Sequence, residues 1–367
     1  MRKDKRKKDN VTDEPIRNER IKTGVTSVYA VYAVFAVIGI VYCLSLLVLY
    51  PNLPITTRQA DSIQGYDLYY PPFRTDEYNY YDIANNILSG NLYEDGSFER
   101  SYPLGFPLVT VPFVAVLDKM GGYAANVVIV LLSLILFFKV IRRFNSTTHA
   151  LALVAVLAFA TLNWFYAVSC YSEPLAQLLV LLAVYCMFSG KDSSKKTLFF
   201  IAAGCATGLN LFVRPHYIVI AVPFFVSLWL QGKSRFSLKN HGILYAAGVS
   251  AVIFVWFIRN SIVFGGPLTF EYTRMLGQFV PGSIEGGVKG NVFTGTHRLL
   301  FDEFHGLLTI TPVLLVFPAG LNRMWQRGFR NEAVTFLVSV IVMIVIFASG
   351  PYPFTEFGLG SRHMMPM

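Results

Sequence analysis

From Val25 to Tyr50 the chain runs for 26 residues without one charged side chain. Hydrocarbon offers no partner to a backbone N–H or C=O, so a spanning segment of this kind closes its own hydrogen bonds as a helix. About 20 helical residues cross a hydrocarbon core of about 30 Å. Comparable windows recur at Tyr123–Ile141, Thr147–Ala167, Glu173–Ser189, Thr197–Val213, His216–Leu230, Ile243–Ile258, Gly306–Gly320 and Glu332–Ser349. With 54% hydrophobic and only 14% charged residues, the chain is too apolar for an ordinary water-soluble protein of its length. The expected fold is all-α, a polytopic transmembrane helical bundle of about nine spans.

Charge sets the orientation. Residues 1–24 form a basic segment with nine Lys/Arg, five acids and almost no large apolar side chains before Thr23, expected to be a disordered cytoplasmic tail. The segment that follows is too long, and lacks a small-residue cleavage site, to be a removable leader. Nine alternating spans put Lys139, Arg142 and Arg143, then Lys191, Lys195 and Lys196, then Lys233, Arg235 and Lys239, then Arg323, Arg327 and Arg330 on the same side as the tail. That side then holds 21 of the 31 Lys/Arg but 7 of the 22 acids. The net charge of +9 is thereby read as a topological imbalance, with membrane lipid as the partner and no nucleic acid. The apolar run Leu104–Leu117 is left out of the count, because including it would invert every later loop. About 14 residues with Pro107 and Pro112 suit an interfacial or re-entrant helix.

Residues 25–367 are thus expected to be one transmembrane domain in the cell (plasma) membrane, with two long outer segments, 51–103 and 259–303. The ending "GLGSRHMMPM" reads as the start of a further helix, so a longer parent chain is expected. Cys43, Cys170, Cys186 and Cys205 show neither CxxC pairing nor Cys/His spacing and are expected to be packing residues. HExxH, Walker and GxSxG patterns do not occur, which leaves zinc proteolysis, ATP hydrolysis and serine hydrolysis without support.

The first outer segment contains "PPFRTDEYNYYDIANNILSGNLY". From Asp76 onward, Ile83, Ala84, Ile87 and Leu88 fall on one helical face and Gly90 is a stop signal. Asp76 and Glu77 then sit near the N-terminus of a short amphipathic helix, where the helix dipole favours carboxylates. Asp76 as a plain helix cap and Asp76 as a base on an acceptor hydroxyl are both open on this pattern. Glu173, at the mouth of a helix beside Tyr171, is equally suited to capping or to sugar hydroxyls. Arg74, Arg214, His216, Arg259, Arg362 and His363 are the outer cations; Arg214 and Arg259 also fit simple snorkelling at helix ends.

The Asp-Glu pair with its amphipathic helix, followed by "SYPLGFPL", "YSEPLAQLL", "GLNLFVRPHYIVIAVPF" and "GLGSRHMMP", resembles the GT-C superfamily of lipid-linked-sugar glycosyltransferases. The similarity is to its protein O-mannosyltransferase and lipid A aminoarabinose transferase branch. The resemblance implies inverting transfer of a sugar from a polyprenyl-phosphate carrier to a glycan, lipid or protein acceptor outside the cytosol. It implies Asp76 as general base and Glu77 as its companion. Arg362 is the best-placed phosphate ligand, with Arg214, Arg259, His216 and Arg74 around it, and Tyr78, Tyr81, Tyr171 and Glu173 are expected toward sugar and acceptor. Sugar identity and any divalent metal stay open. A polytopic transporter or lipid-linked-sugar flippase is the alternative, and a non-catalytic scaffold a third. The near absence of charge from the span centres favours an enzyme working at one face.

Overall fold

The computed structural model describes residues 25–49, 75–91, 102–231, 240–269, 271, 292–303 and 306–349. Among them every regular element is helical: α1 (Val25–Leu49), α2 (Thr75–Ser89), α3 (Gly105–Leu117), α4 (Gly121–Ile141), α5 (Thr147–Phe159), α6 (Asn163–Ala167), α7 (Glu173–Asp192), α8 (Lys196–Leu209), α9 (Ala221–Gln231), α10 (His241–Phe264), α11 (Val292–Phe301), α12 (Leu307–Ile310), α13 (Phe317–Gln326) and α14 (Arg330–Ser349). Five stretches are long and apolar enough to cross a membrane: Val28–Val48, Gly105–Ile141, Glu173–Asp192, His241–Phe264 and Arg330–Ala348. Thr147–Phe159, Lys196–Phe212 and Pro215–Gln231 are shorter apolar helices. The basic tail, most of the segment 51–103 and the residues after Ser349 lie outside the described residues.

Local chemistry explains the element ends. Ser146 caps α5 by accepting from the His149 N–H, and Asn240 caps α10 by accepting from the Gly242 N–H at 2.8 Å. Gly90 and Gly265, both at φ 78°, end α2 and α10 in the left-handed conformation that glycine adopts without a Cβ penalty. Gly306–Gly320, expected as one span, is interrupted. It comprises α12, a 3₁₀ turn at Pro312–Val316 and the first turn of α13, since Pro312 and Pro318 each remove a backbone donor.

Packing fixes the helix directions. Glycines let α8 and α10 touch backbone to backbone: a Cβ on Gly204 would lie 2.0 Å from the Tyr245 carbonyl oxygen, and one on Gly248 would lie 2.2 Å from that of Ile201. Phe200 stacks on His241 at 4.2 Å while Gly208 meets Val252, so α8 and α10 run parallel. In α1, Phe35 meets Phe138 near the end of α4, and Tyr42 donates to the Ala158 carbonyl near the end of α5. Two ends of the bundle result. One gathers Arg143, Asp192, Lys191, Glu332, Phe144 and Phe329; Arg143 pairs with Asp192, Lys191 pairs with Glu332, and Phe144 packs edge-on against Phe329 at 4.7 Å. The other gathers α2, the starts of α4 and α7, and the turn between α8 and α9.

The excluded run forms α3, and it ends abruptly. Asp118 has φ 49°, an unusual backbone for a residue with a side chain, and the chain doubles back so tightly that a Cβ on Gly121 would lie 2.4 Å from the Val114 nitrogen. α3 buries Phe106, Pro107, Thr110 and Val114 and packs between α2 and α4.

Candidate functional site

Helix α2 positions the acid pair. Ile83 and Ala84 are fully buried and Ile87 partly so, whereas Leu88 is exposed, so the inward face turns toward the first helical turns, through Tyr80 and Glu77. Adjacent acids on a helix diverge by about 100°. Here the divergence gives them different surroundings. Glu77 is 2% exposed: its Oε1 accepts the Cys170 N–H at 3.0 Å and its Oε2 accepts the Tyr123 hydroxyl at 3.2 Å. Asp76 stays only partly buried and accepts the Tyr102 hydroxyl at 3.0 Å.

The loop that faces Glu77 is itself held. Asn126, buried in α4, donates through Nδ2 to the carbonyls of Ser169 at 2.7 Å and Tyr171 at 2.8 Å, clamping both sides of Cys170. A Cβ on Gly122 would lie 2.2 Å from Cys170 Sγ, so the start of α4 presses directly on this loop. Burial first, and the Glu77 charge second, push the Cys170 thiol well above its ordinary range. Cys170 is therefore a packing residue carrying an essential backbone donor.

Three residues further along the same face of α2, Tyr80 shares a 3.0 Å hydrogen bond with Ser172, whose Oγ accepts the Arg214 Nε at 2.8 Å. Arg214 also donates through Nη2 to Glu173 Oε1 at 2.7 Å. With Arg214 3% and Glu173 0% exposed, this is a buried ion pair joining the start of α7 to the turn after α8. Each charge is thus paired inside the protein, an arrangement that a snorkelling arginine would not need. Tyr217, on the 3₁₀ turn Pro215–Ile220, is fully buried, and among the described residues its hydroxyl makes no hydrogen bond.

The other expected site residues divide. Tyr78 is partly buried on α2. Tyr81 donates to Asp118; burial first, then this bond and the nearby acid, push its phenol above the ordinary tyrosine value. Tyr171 is buried edge-on against Tyr166 at 5.9 Å, which makes it a wall behind the loop. The His216 ring packs edge-on to Phe347 at 5.0 Å, bringing the end of α14 to this end of the bundle. Arg259, at the same end of α10, pairs with buried Glu271 and lies over the Phe264 ring at 5.0 Å. Burial raises the Glu271 carboxyl, with Arg259 opposing the shift. Arg74 and Arg362 lie outside the described residues.

Comparison with family models, with curated proteins and with solved structures returned no match. The site therefore stands on its own geometry. Tyr80, Tyr102, Tyr123, Asn126 and Ser172 belong to it without having been singled out in the sequence. The tyrosine-rich run "EYNYYD" and "SYPLGFPL" were the signals present, but only the fold shows which hydroxyls reach the acids. Among the described residues no three His, Cys, Asp or Glu side chains group as metal ligands. What the arrangement offers is a partly accessible carboxylate, anchored through a buried neighbour to a rigid wall, at the end of the bundle that also holds Arg214, His216 and Arg259.

Proposed function

We propose that this chain is an inverting, GT-C-type glycosyltransferase that moves a sugar from a polyprenyl-phosphate carrier to an acceptor on the non-cytoplasmic face of the cell membrane. In this reading nine spans place residues 1–24 in the cytosol and the Asp76 end of the bundle outside. The observation that carries the reading is the division of labour within the Asp-Glu pair. Glu77 is buried and doubly hydrogen-bonded, so it sets the position of α2, while its neighbour Asp76 keeps a partly accessible carboxylate in the first turn of the helix.

In the reaction, Asp76 takes the proton of an acceptor hydroxyl, the hydroxyl oxygen forms a bond to the anomeric carbon, and the bond from that carbon to the phosphate oxygen breaks with its electron pair. The leaving polyprenyl phosphate gains negative charge, which fixed cations stabilise. Arg214 and Arg259 already face Glu173 and Glu271, so their charge is largely matched. We accordingly assign the strongest phosphate contact to Arg362 and a further one to Arg74, with the His216 ring as a hydrogen-bonding group, and give Arg214 the task of holding the start of α7. Tyr78, Tyr81 and Tyr102 line the approach for sugar and acceptor hydroxyls.

The test is transfer of label from a panel of polyprenyl-phosphate sugars in membranes containing the protein. Wild type is expected to transfer and Asp76→Asn to lose at least about a hundredfold, the scale of a general base. Donor binding without transfer by wild type would refute the reading and favour lipid translocation.

A further inference from the structure

The bundle end opposite Asp76 carries a second feature with its own chemistry. α13 is amphipathic: Phe317, Leu321, Met324 and Trp325 fall on one side of the helix and Asn322, Arg323 and Gln326 on the other. α13 has no fully buried residue: Phe317, Leu321 and Met324 are half-buried, Met324 against the core, while Trp325 at the edge of the apolar side is 46% exposed. Arg323, Arg327 and Arg330 follow within eight positions and are all exposed. The carboxylates of this end are engaged elsewhere, Asp192 with Arg143 and Glu332 with Lys191. Among the described residues neither the Arg323 nor the Arg327 side chain makes an ion pair or hydrogen bond. Arg330 lies over the Trp325 ring at 5.5 Å, which holds one cation against the aromatic group that marks the interface.

We propose that α13 lies in the plane of the membrane interface and that Arg323, Arg327 and Arg330 form a binding site for anionic phospholipid headgroups. The geometry favours this occupant because both halves of an amphipathic lipid are matched at once: tails meet Trp325 and the exposed flanks of Phe317 and Leu321, and the phosphate meets the arginines. The site tethers the junction between α13 and α14, where Phe329 packs on Phe144. The proposal depends on the nine-span orientation only for assigning the leaflet as cytosolic; a negative sugar-transfer result leaves it standing.

The experiment is lipid selectivity of the full-length protein in phosphatidylcholine nanodiscs, using spin-labelled phosphatidylglycerol against spin-labelled phosphatidylcholine as reporters. Wild type is expected to immobilise the anionic label preferentially, and the preference to fall as salt is raised. Replacing Arg323, Arg327 and Arg330 together by Gln should weaken the anionic preference by about fivefold or more, the effect of about one surface cation on an anionic lipid. Replacing all three by Lys should retain it, as should Arg298→Gln on α11, whose Gly295 packs against Ala348 at the far end of α14. Equal immobilisation of both labels by wild type, a salt-independent preference, or an unchanged preference in the Gln variant would each overturn the proposal. If the triple variant does not insert, Arg323→Gln and Arg327→Gln singly, neither of which removes an ion pair or hydrogen bond among the described residues, decide by the same readout: a weakened anionic preference supports the proposal and an unchanged one overturns it.

Discussion

Replacing Arg214 by Met should cost more than any other single change in the buried polar network. At a separation of 2.7 Å the Arg214–Glu173 attraction is about 6 kcal/mol gross for an effective dielectric of about 20. Most of that offsets the desolvation of two charges, so the net value of the pair against an apolar substitute is small. Removing one partner is different, because Glu173, 0% exposed, keeps its desolvation and loses its counter-charge. Breaking buried pairs of this kind costs about 3–5 kcal/mol. The Ser172 hydroxyl also loses its Nε donor, and with it one anchor of Tyr80 and α2. The assay is a double-mutant cycle of Arg214→Met and Glu173→Met, read as unfolding of the purified protein in mild detergent titrated with a denaturing one. Each single variant should lose about 3–5 kcal/mol and the double variant clearly less than their sum. Additive losses, or an Arg214→Met chain as stable as wild type, would refute the argument that the pair is buried and mutually dependent.

Other expectations follow from the same geometry. Glu77→Ala leaves the Cys170 N–H and the Tyr123 hydroxyl without their carboxylate and should cost about 2–4 kcal/mol in the same unfolding assay; Tyr123→Phe should cost about 1 kcal/mol. Gly248→Val forces α10 off α8, because even its Cβ would sit 2.2 Å from the Ile201 carbonyl, and should abolish accumulation of folded protein, measured by fluorescence-detected size exclusion. Burial and the Glu77 charge keep Cys170 a thiol. In native membranes its alkylation should therefore stay negligible and should not accelerate between pH 7 and pH 9, in contrast to the denatured chain, when a variant with Cys170 as the sole cysteine is followed by mass shift.

How far the sequence carried differs from one feature to the next. Helix α1, the amphipathic α2 and its stop at Gly90 follow from local signals: an uncharged run, a 3.6-residue period and a glycine where φ turns positive. The separation of Leu104–Leu117 from the helix after it was legible for a similar reason, since its length and two prolines are local properties. The expected face of α2 was half right, because Leu88 sits at the edge of the apolar arc and periodicity alone does not say where that arc ends. What periodicity does not encode is partnership over distance. Glu173 meets Arg214 across 41 positions and Glu77 meets Cys170 across 93, yet Glu173 and Arg214 were read singly as a cap and a snorkelling cation, Glu77 as the companion of Asp76 and Cys170 as a packing residue. The interruption at Gly306–Gly320 was missed because hydropathy scores Pro312 and Pro318 as nearly neutral while backbone hydrogen bonding does not.

The central claim, that Asp76 acts on an acceptor while Glu77 builds the site beneath it, is tested most directly by one comparison. Sugar transfer from polyprenyl-phosphate donors should be measured for wild type, Asp76→Asn and Glu77→Gln at matched levels of folded protein, together with the stability of each. The account predicts that Asp76→Asn leaves stability within about 0.5 kcal/mol and removes transfer, whereas Glu77→Gln lowers stability, since the amide offers one accepting oxygen where the carboxylate accepts through both. Transfer that survives Asp76→Asn, at wild-type rate and stability, would contradict it.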